Sequence, residues 1–317
     1  MPGSPVVVTV TLNPAIDQTL SIPGFAAGQV NRVTDSRSTA GGKGVNVACI
    51  LADLGVEVIA TGFLGADNAG LFETSFASKG IADRFVRIAG STRVGIKVVD
   101  DLTQQTTDIN FPGLTPLGEE IDDLFERIAG LVEPGRWFVL SGSVPPGVPD
   151  DVYAHLIESI HDLDGRVVLD TSGRPLHEAL ASHPEVVKPN VDELSELVGR
   201  ALTAPGDVRT AGESLLARGV RRVVVSMGGE GAVFLDGDQA LLARPPKVTV
   251  RSTVGAGDAM VGGIVYGLIH DLPLIDLART ATASGAYAVT RFGAGIDDPA
   301  EHRKLMEQVG IEALHRQ

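Results

Sequence analysis

A glycine-rich turn followed by an acid lies near the C-terminus of the sequence. Asp258 is preceded by the turn residues Gly255, Ala256 and Gly257, and residues 259–268 have the composition of a helix. Helix N-terminal amides and the positive end of the helix dipole attract anions, and glycines let an anion approach the backbone. The turn can therefore hold a phosphoryl group. Asp258 can accept a proton from an attacking hydroxyl, or it can be an ordinary first-turn acid.

A second glycine turn leads into a helix closer to the N-terminus. Gly41 and Gly42 precede Lys43, and Asn46 lies about one turn into the helix. No Ser or Thr follows the lysine, so this is not a Walker P-loop. A mobile cation beside an amide suits a phosphorylated polyol, and Asp17 suits sugar hydroxyls. The alternative is a solvent-exposed lysine at an ordinary helix start.

Short β-branched runs alternate with helix-like stretches along the chain, which predicts βαβ units around a largely parallel sheet and hence the α/β class. The candidate core strands are 6–12, 57–63, 136–141, 166–170, 186–188 and 222–226. The predicted crossover helices, with apolar residues three and four apart, are 45–54, 117–132, 152–163 and 208–218. We expect a single domain over residues 1–317, with one core and a small appendage.

Two stretches, residues 17–37 and 93–112, break this alternation. Both alternate with period two and lie between core units, as strands of a second, small sheet would. We expect them to form a lid over one edge of the main domain, since lids commonly exclude water from a reaction centre. Residues 232–250 predict further antiparallel strands, with a turn at 236–238.

The composition narrows the classes of function. A formal net charge of −14 opposes binding to nucleic acid, and no apolar run approaches the length of a membrane span. Neither nucleic acid nor membrane is an expected partner. The chain starts without the basic region of a signal peptide, which favours a cytoplasmic protein. The single cysteine, Cys49, excludes an intramolecular disulfide, and any metal is expected on oxygen ligands.

Taken together, the motifs resemble the signatures of the ribokinase-like, or PfkB, carbohydrate kinases across essentially the whole chain. The landmarks follow the family's order: 11–17 (TLNPAID), 41–46 (GGKGVN), 62–65 (GFLG), 141–147 (SGSVPPG), 188–193 (KPNVDE) and 255–258 (GAGD). The resemblance implies a three-layer α/β/α sandwich with a mainly parallel central sheet and a small β-sheet lid. It also implies ATP as the phosphate donor and Mg²⁺ as its companion ion.

By this resemblance, Asp258 is the catalytic base, and the amides of residues 255–258 hold the γ-phosphate. Asn190 and Glu193 belong to the metal-phosphate region, through water, in keeping with the hydration shell that Mg²⁺ retains. The implied nucleotide-binding residues are Lys188, Asn190, Ser226, Gly228, Gly229, Thr253, Gly255 and Gly257. The turn at 226–231 is no dinucleotide fingerprint, because a strand-like run follows it where a helix would be required.

Three cationic side chains are candidates for binding the substrate. Arg93 and Lys97 share one face of a strand, and with Lys43 they can surround a dianionic sugar phosphate. The alternative for the first two is a charged edge strand that resists aggregation. The substrate-binding residues implied by the resemblance are Asp17, Gly41, Gly42, Lys43, Asn46, Arg93, Lys97, Asn110 and Ser143.

These segments are most similar to the family members that phosphorylate fructose 1-phosphate, which predicts that activity. Kinases of tagatose 6-phosphate share much of the pattern and stay an alternative, as do other hexose-phosphate kinases. A non-catalytic sugar-phosphate sensor is an alternative from another class, although the retained Asp258 and glycine turn argue against it. Lid sheets of this family commonly pair across a two-fold axis, so we expect a homodimer through the lid.

Overall fold

The β-branched runs form strands because branched side chains suit a pleated, half-buried surface. The structure is a computed structural model that describes residues 5–103, 105–291, 293 and 295–315. The strands are β1 (Val6–Thr11), β2 (Ala15–Ser21), β3 (Asp35–Gly41), β4 (Glu57–Gly65), β5 (Ala82–Asp83), β6 (Val86–Ile88), β7 (Val94–Asp100), β8 (Gln105–Asn110), β9 (Trp137–Ser141), β10 (Arg166–Asp170), β11 (Val186–Val187), β12 (Arg222–Ser226), β13 (Ala232–Asp236), β14 (Gln239–Arg244) and β15 (Gly310–Ala313).

The helices between them carry apolar residues on the side that faces the sheet. They are α1 (Lys43–Asp53), α2 (Gly70–Lys79), α3 (Gly118–Leu131), α4 (Val152–His161), α5 (Gly173–Ala179), α6 (Val191–Val198), α7 (Pro205–Leu216), α8 (Ala256–Ile269), α9 (Leu274–Ala288) and α10 (Pro299–Gln308). In the part of the chain that the structure describes, no helix is long and apolar enough to cross a bilayer.

The main sheet is predominantly parallel. Its strands follow the order β15-β14-β13-β12-β11-β10-β9-β1-β4-β5, and β6 pairs with β4 beside this path. The pairings from β12 through β9 and β1 to β4 are parallel, whereas β13, β14 and β15 add antiparallel strands at one side. All six candidate core strands are present, with ends that shift by at most a few residues.

A buried apolar cluster lies on each face of this sheet. One cluster joins the sheet to α1, α2, α8 and α9 through residues such as Leu51 and Ile264. The other joins it to the helices from α3 to α7 through residues such as Leu124 and Leu156. Neighbouring strand residues alternate between the clusters, since Val7 belongs to the first and Val8 to the second. The expected three-layer α/β/α sandwich is therefore confirmed.

Glycines set how closely α8 approaches its neighbours. A Cβ atom on Gly263 would lie 2.6 Å from the Cα atom of Ala281, and one on Gly262 would lie 2.5 Å from the side chain of Ile50. A side chain at either position would force its neighbour to shift. These contacts fix the position of α8 against α9 and α1, and with it the position of the glycine turn that precedes α8.

The second sheet has four strands in the order β3-β2-β7-β8. The two predicted excursions supply two strands each, but the first excursion is longer than 17–37, because β2 begins at Ala15 and β3 ends at Gly41. The alternation of apolar and polar residues within 17–37 could not show where these two strands begin and end. At those ends the strands continue directly into the segments that connect the small sheet to the core. Residue 104, inside the second predicted range, lies outside the described residues.

The two faces of this lid sheet differ in polarity. The register places Asp17, Lys97 and Asn110 on one face. The opposite face carries apolar residues, among them Ile96 and its cross-strand partner Ile109. The lid can therefore present polar groups to a ligand on one side and an apolar surface on the other.

The segment 232–250 is only partly a strand pair. Strands β13 and β14 form the predicted antiparallel hairpin, but pairing ends at Arg244. Pro245 and Pro246 follow, and proline has no N–H group to donate to a ladder. Residues 245–250 consequently leave the sheet, and several of them line a cleft described below.

Candidate active site

The candidate active site lies where the parallel strands end. Asp170 is the last residue of β10, Lys188 follows β11 directly, and Ser226 ends β12. The carboxyl ends of parallel strands share one edge of a sheet, and open α/β folds bind their ligands at that edge. The predicted site residues of the core therefore converge because of the sheet topology.

Helix α8 begins with a left-handed glycine. Gly255 is its N-cap residue with a φ angle of 80°, a conformation that disfavours side chains. The amides of Gly257 and Asp258 fall in the first turn, where N–H groups have no acceptor within the helix. The helix dipole adds positive partial charge at the same place. This start of α8 can bind an anion such as a phosphoryl group.

Asp258 is buried in that first turn and does not cap the helix through its side chain. Asn46 Nδ2 donates to Asp258 Oδ2 at 2.7 Å, so the two glycine motifs meet here. Burial raises the pKa of Asp258 to about 6 and the charge of Asp170 adds to the rise, whereas Asn46, Lys43 and Lys188 limit it. Such a carboxylate is ionised at neutral pH and can still take up a proton, as a general base must.

Asp170 joins two lysines of the site. Its Oδ1 atom lies 3.3 Å from Nζ of both Lys43 and Lys188. Its buried Oδ2 atom has no hydrogen-bond partner. Burial alone would lower the pKa of Lys43, but Asp170, Asp258 and Glu193 raise it above its ordinary value. Sequence reasoning missed Asp170, since a lone aspartate has no motif spacing; its place at the end of the predicted strand 166–170 was the available signal.

Asn190 and Glu193 form a reciprocal capping box at the start of α6. Asn190 Oδ1 accepts from the Glu193 amide, and Glu193 Oε2 accepts from the Asn190 amide, both at 2.8 Å. The helix itself therefore uses part of both side chains. Within the described ranges, no group of three or more His, Cys, Asp or Glu residues could hold a metal ion. The unpartnered Oδ2 atom of Asp170 nevertheless fits Mg²⁺, which usually binds one or two carboxylates together with waters and substrate phosphates.

A cleft of about 550 Å³ opens beside the start of α8. This volume is within the usual range of small-molecule sites. Its lining includes five of the predicted nucleotide-binding residues: Ser226, Gly228, Gly229, Thr253 and Gly257. Two others lie next to it, since Lys188 Nζ would be 3.5 Å from a Cβ atom on Gly257, and Asn190 pairs with Ser226.

Sequence reasoning missed two further walls of this cleft. They come from the segment 245–250 and from the C-terminal part of α9 with the residue after it, and they include Thr282, Gly285, Ala286 and Val289. The Thr282 hydroxyl is buried without a partner. These residues belong to ordinary helix and loop sequence, and only the packing of α9 against α8 brings them to the cleft.

The lid contributes Asp17, Lys97 and Asn110 to the substrate side. Lys97 Nζ lies 3.0 Å from Asp17 Oδ2. A Cβ atom on Gly95 would lie 3.2 Å from Asp17 Oδ1 and 3.5 Å from Asn110 Oδ1, so both polar side chains meet over this glycine. These three predicted residues are therefore neighbours on the polar face of the lid.

Arg93 lies at the base of the lid. Its Nη2 atom donates to the Asn13 carbonyl at 3.2 Å and its Nη1 atom to the Phe111 carbonyl at 3.3 Å, whereas its Nε atom is buried without a partner. Burial lowers the pKa of Arg93, and the charge of Asp17 opposes this. Asn13 Nδ2 also donates to Ser143 Oγ at 3.2 Å. Arg93 and Ser143 thus contact the same asparagine, and the Nε–H group of Arg93 is among the donors left for an anion.

Glycines of the 41–46 loop, which leads from the end of β3 into the first turn of α1, serve the packing of the protein itself. A Cβ atom on Gly42 would lie 3.0 Å from the Cα atom of Pro14, and one on Gly44 would lie 2.4 Å from Thr11 Oγ1. The loop therefore has to pass close to the end of β1. Its polar side chains are directed by this path to two carboxylates, Lys43 to Asp170 and Asn46 to Asp258.

A buried carboxylate at a helix N-terminus, lysines beside it and a nucleotide-sized cleft define a phosphotransferase site. Residues 6–301 match the profile of the pfkB family carbohydrate kinases. The chain belongs to this family, and it is a sugar kinase by fold and by sequence.

Individual relatives agree with this assignment. The chain is 45% identical over 309 residues to the 1-phosphofructokinase of Rhodobacter capsulatus, covering 97% of this chain and 98% of that protein. It is 36% identical to the 1-phosphofructokinase of Escherichia coli K12, covering 98% and 99%. Among solved structures, phosphofructokinase-2 from Escherichia coli in complex with fructose-6-phosphate has a TM-score of 0.89 at 31% identity, covering 96% of this chain and 99% of that chain. A possible 1-phosphofructokinase from Thermotoga maritima has a TM-score of 0.87 at 29% identity, covering 98% and 100%.

Proposed function

We propose that this chain transfers the γ-phosphoryl group of ATP to fructose 1-phosphate and forms fructose 1,6-bisphosphate. Asp258 carries the proposal, because its buried carboxylate lies in the first turn of α8 and is held by Asn46. Gly257, in the same turn, lines the nucleotide-sized cleft, and Asn46 belongs to the helix that follows the lid strand β3. The relatives named 1-phosphofructokinase support the choice of substrate.

In this reaction Asp258 accepts the proton of the sugar C6 hydroxyl as its oxygen attacks the γ-phosphorus. A new oxygen–phosphorus bond forms, the bond from the γ-phosphorus to the β,γ-bridging oxygen breaks, and ADP leaves with that electron pair. The amides at residues 255–258 stabilise the charge on the transferring oxygens, which is the main contribution an enzyme makes to phosphoryl transfer.

Lys43 and Lys188 supply positive charge at the point of transfer. Both contact Asp170, which keeps them side by side. When bound, Mg²⁺ would neutralise charge on the nucleotide phosphates. Asp170 would hold it through its unpartnered oxygen, with Asn190 and Glu193 acting through water.

On the substrate side, Arg93 has an unpartnered Nε atom for the phosphate that the sugar already carries. Asp17 and Asn110 are suited to sugar hydroxyls, which donate to carboxylate and amide oxygens. The proposed substrate site is completed by Ser143, by Gly41 at the end of β3 and by Gly42, which follows it.

An ADP-release assay with MgATP tests the proposal. The acceptors are fructose 1-phosphate, fructose 6-phosphate, tagatose 6-phosphate and unphosphorylated fructose, each over a concentration series. We expect kcat/KM for fructose 1-phosphate to exceed the others by at least about tenfold, which is about 1.4 kcal/mol of transition-state binding.

Other outcomes each point elsewhere. A preference for tagatose 6-phosphate or fructose 6-phosphate would keep the mechanism and replace the substrate. Tight binding of a hexose phosphate without any turnover would instead indicate a sensor. The cytoplasmic location expected from the sequence stays a prediction.

We also propose that the chain forms a homodimer through the apolar face of its lid. Five large apolar side chains of the lid and its connections are substantially exposed: Val30, Val33, Leu102, Ile109 and Phe111. Burial of such a surface against a second copy is favourable because apolar area leaves water. One related structure, phosphofructokinase-2 from Escherichia coli, is described in a tetrameric inhibited form.

A further inference from the structure

The polar face of the lid contains an ion pair whose role the proposed reaction does not explain. Lys97 Nζ lies 3.0 Å from Asp17 Oδ2, and the two side chains are only 16% and 22% exposed. Lys97 also has a second acidic neighbour, because the register places it directly opposite Asp108 of β8. Its ammonium group nevertheless contacts Asp17, on the other neighbouring strand.

The Asp17 carboxylate occupies a niche between two glycines. A Cβ atom on Gly41 of β3 would lie 2.5 Å from Asp17 Oδ2, and one on Gly95 of β7 would lie 3.2 Å from Asp17 Oδ1. Any side chain at Gly41 would displace the carboxylate, and one at Gly95 would press on it. Each of the two strands beside β2 therefore has a glycine where the Asp17 carboxylate needs space. Lys97 places a positive charge next to this carboxylate.

This carboxylate stands among groups that would receive a phosphorylated sugar. The N–H group of Ile16, the residue before Asp17, donates to the Arg93 carbonyl at 2.8 Å, so Arg93 and Asp17 lie close together. A bare carboxylate at this place would repel a phosphate dianion, since like charges in a partly buried site are weakly screened. Sugar hydroxyls, however, need an acceptor. The site thus needs the oxygen atoms of Asp17 as hydrogen-bond acceptors, while a nearby cation has to neutralise the negative charge of the carboxylate.

We propose that Lys97 is a positioning residue that orients Asp17 and neutralises its charge, so that the carboxylate can accept hydroxyls of a sugar that also carries a phosphate. Lys97 does not contact the phosphate of the sugar, which is left to Arg93. The inference rests on the proposed function, because it requires a sugar phosphate as substrate. It differs from the simpler idea that Lys97 is itself a phosphate ligand.

The two ideas predict different coupling between Lys97 and Asp17. A phosphate ligand acts on the substrate directly, so its loss weakens binding by the same factor whether or not Asp17 is charged. A positioning residue acts through Asp17, so its loss matters only while the carboxylate is present. A double-mutant cycle measures this difference.

The experiment is calorimetric titration of fructose 1-phosphate into the full-length wild type, Lys97→Gln, Asp17→Asn and the double variant. We expect Lys97→Gln to weaken binding about tenfold in the wild-type background and about twofold or less beside Asp17→Asn, a coupling factor of at least about fivefold. A smaller factor overturns the inference. If Lys97→Gln does not fold by circular dichroism, Lys97→Met takes its place in the cycle.

The chain offers a matched control in Asp108, the other acidic neighbour of Lys97. Lys97→Gln should weaken binding by about the same factor with and without Asp108→Asn, because the Lys97 ammonium group is paired with Asp17 and not with Asp108. Lys97→Arg should recover most of the affinity, since it keeps the positive charge. Equal coupling to Asp17 and Asp108 would contradict the inference.

Failure of this inference is distinguishable from failure of the proposed function. If wild-type protein phosphorylates fructose 1-phosphate but the cycle shows no coupling, only the role of Lys97 is wrong. If wild-type protein phosphorylates none of the tested acceptors, the proposed function itself fails, whatever the cycle gives.

Discussion

Asp258 owes its suitability as a base to its surroundings. Burial and the charge of Asp170 raise its pKa to about 6, and the hydrogen bond from Asn46 with the two lysines prevents a larger rise. An exposed aspartate has a pKa of about 4 and is a weaker base. The fold thus provides a carboxylate with the pKa that the proposed role as general base requires.

Asp258→Asn should reduce kcat by about 10²- to 10⁴-fold, the usual contribution of a general base. Nucleotide affinity should stay within a few fold, because the base acts on the sugar hydroxyl and Asn46 can still donate to the new amide oxygen. Steady-state kinetics and calorimetry with ATP check both parts. A comparable loss of nucleotide affinity would contradict the assignment of Asp258 as the base.

The pH dependence should have opposite signs for activity and for stability. Activity should fall below pH about 6, because protonated Asp258 cannot accept a proton. The pKa in the folded state is above that in the unfolded chain, so between pH about 4 and 6 the folded state binds more protons, and this group stabilises the fold as pH decreases.

Urea unfolding of wild type and Asp258→Asn from pH 7 down to about 4.5 checks the stability part. The stability of wild type relative to the variant should rise as pH falls through this window. A difference that stays constant with pH, or activity that stays level to about pH 5, would show that the Asp258 pKa is not raised.

Sequence reasoning singled out residues inside spaced motifs and missed isolated ones. Asn46 and Asp258 lie in two glycine motifs, and the structure brings them to 2.7 Å. Asp170 contacts both lysines but belongs to no motif. Thr282 lines the cleft only because α9 packs on α8. Periodicity and spacing describe neighbours along the chain, whereas these two residues are defined by contacts across it.

At the scale of elements, the core strands and the lid followed from hydrophobic periodicity. Strands buried on both faces read as β-branched runs, and lid strands with one polar face alternate. The predicted strand structure of residues 245–250 is absent, because two prolines end the strand pairing at Arg244. Strand β15 was also missed, since four residues with one intermediate and three exposed positions carry no clear pattern.

The left-handed glycine at the start of α8 can be tested by substitution. Gly255→Ala should lower stability by about 1–2 kcal/mol, because an alanine is strained at a φ angle of 80° even though no atom lies within 4 Å of the added Cβ. It should also reduce kcat by about tenfold or more, since the first-turn amides move away from the transferring phosphoryl group.

Gly80→Ala is the matched control. Gly80 ends α2 with a φ angle of 68° and likewise has open space around its Cβ position. It should show the same loss of stability in urea unfolding and unchanged kcat. If both variants keep full activity, or both lose it equally, the special role of the turn at Gly255 is wrong.

For the whole molecule, the two faces of the lid connect the proposed dimer with the proposed substrate site. The same strands carry Asp17 and Lys97 on one face and Ile96 and Ile109 on the other. A second copy bound to the apolar face would restrict movement of the polar face. Dimer formation is therefore expected to support substrate binding as well as stability.

Ile109→Asp should convert the proposed dimer into a monomer, because it places a charge in an apolar interface where no partner compensates it. The matched control is Leu163→Asp, since both residues are 45% exposed and Leu163 lies in the core domain, after α4. Light scattering after size-exclusion chromatography measures the mass, and KM for fructose 1-phosphate should rise only for Ile109→Asp. A wild type that is monomeric at assay concentrations, or an Ile109→Asp variant that keeps the dimer mass, would exclude the lid as the interface.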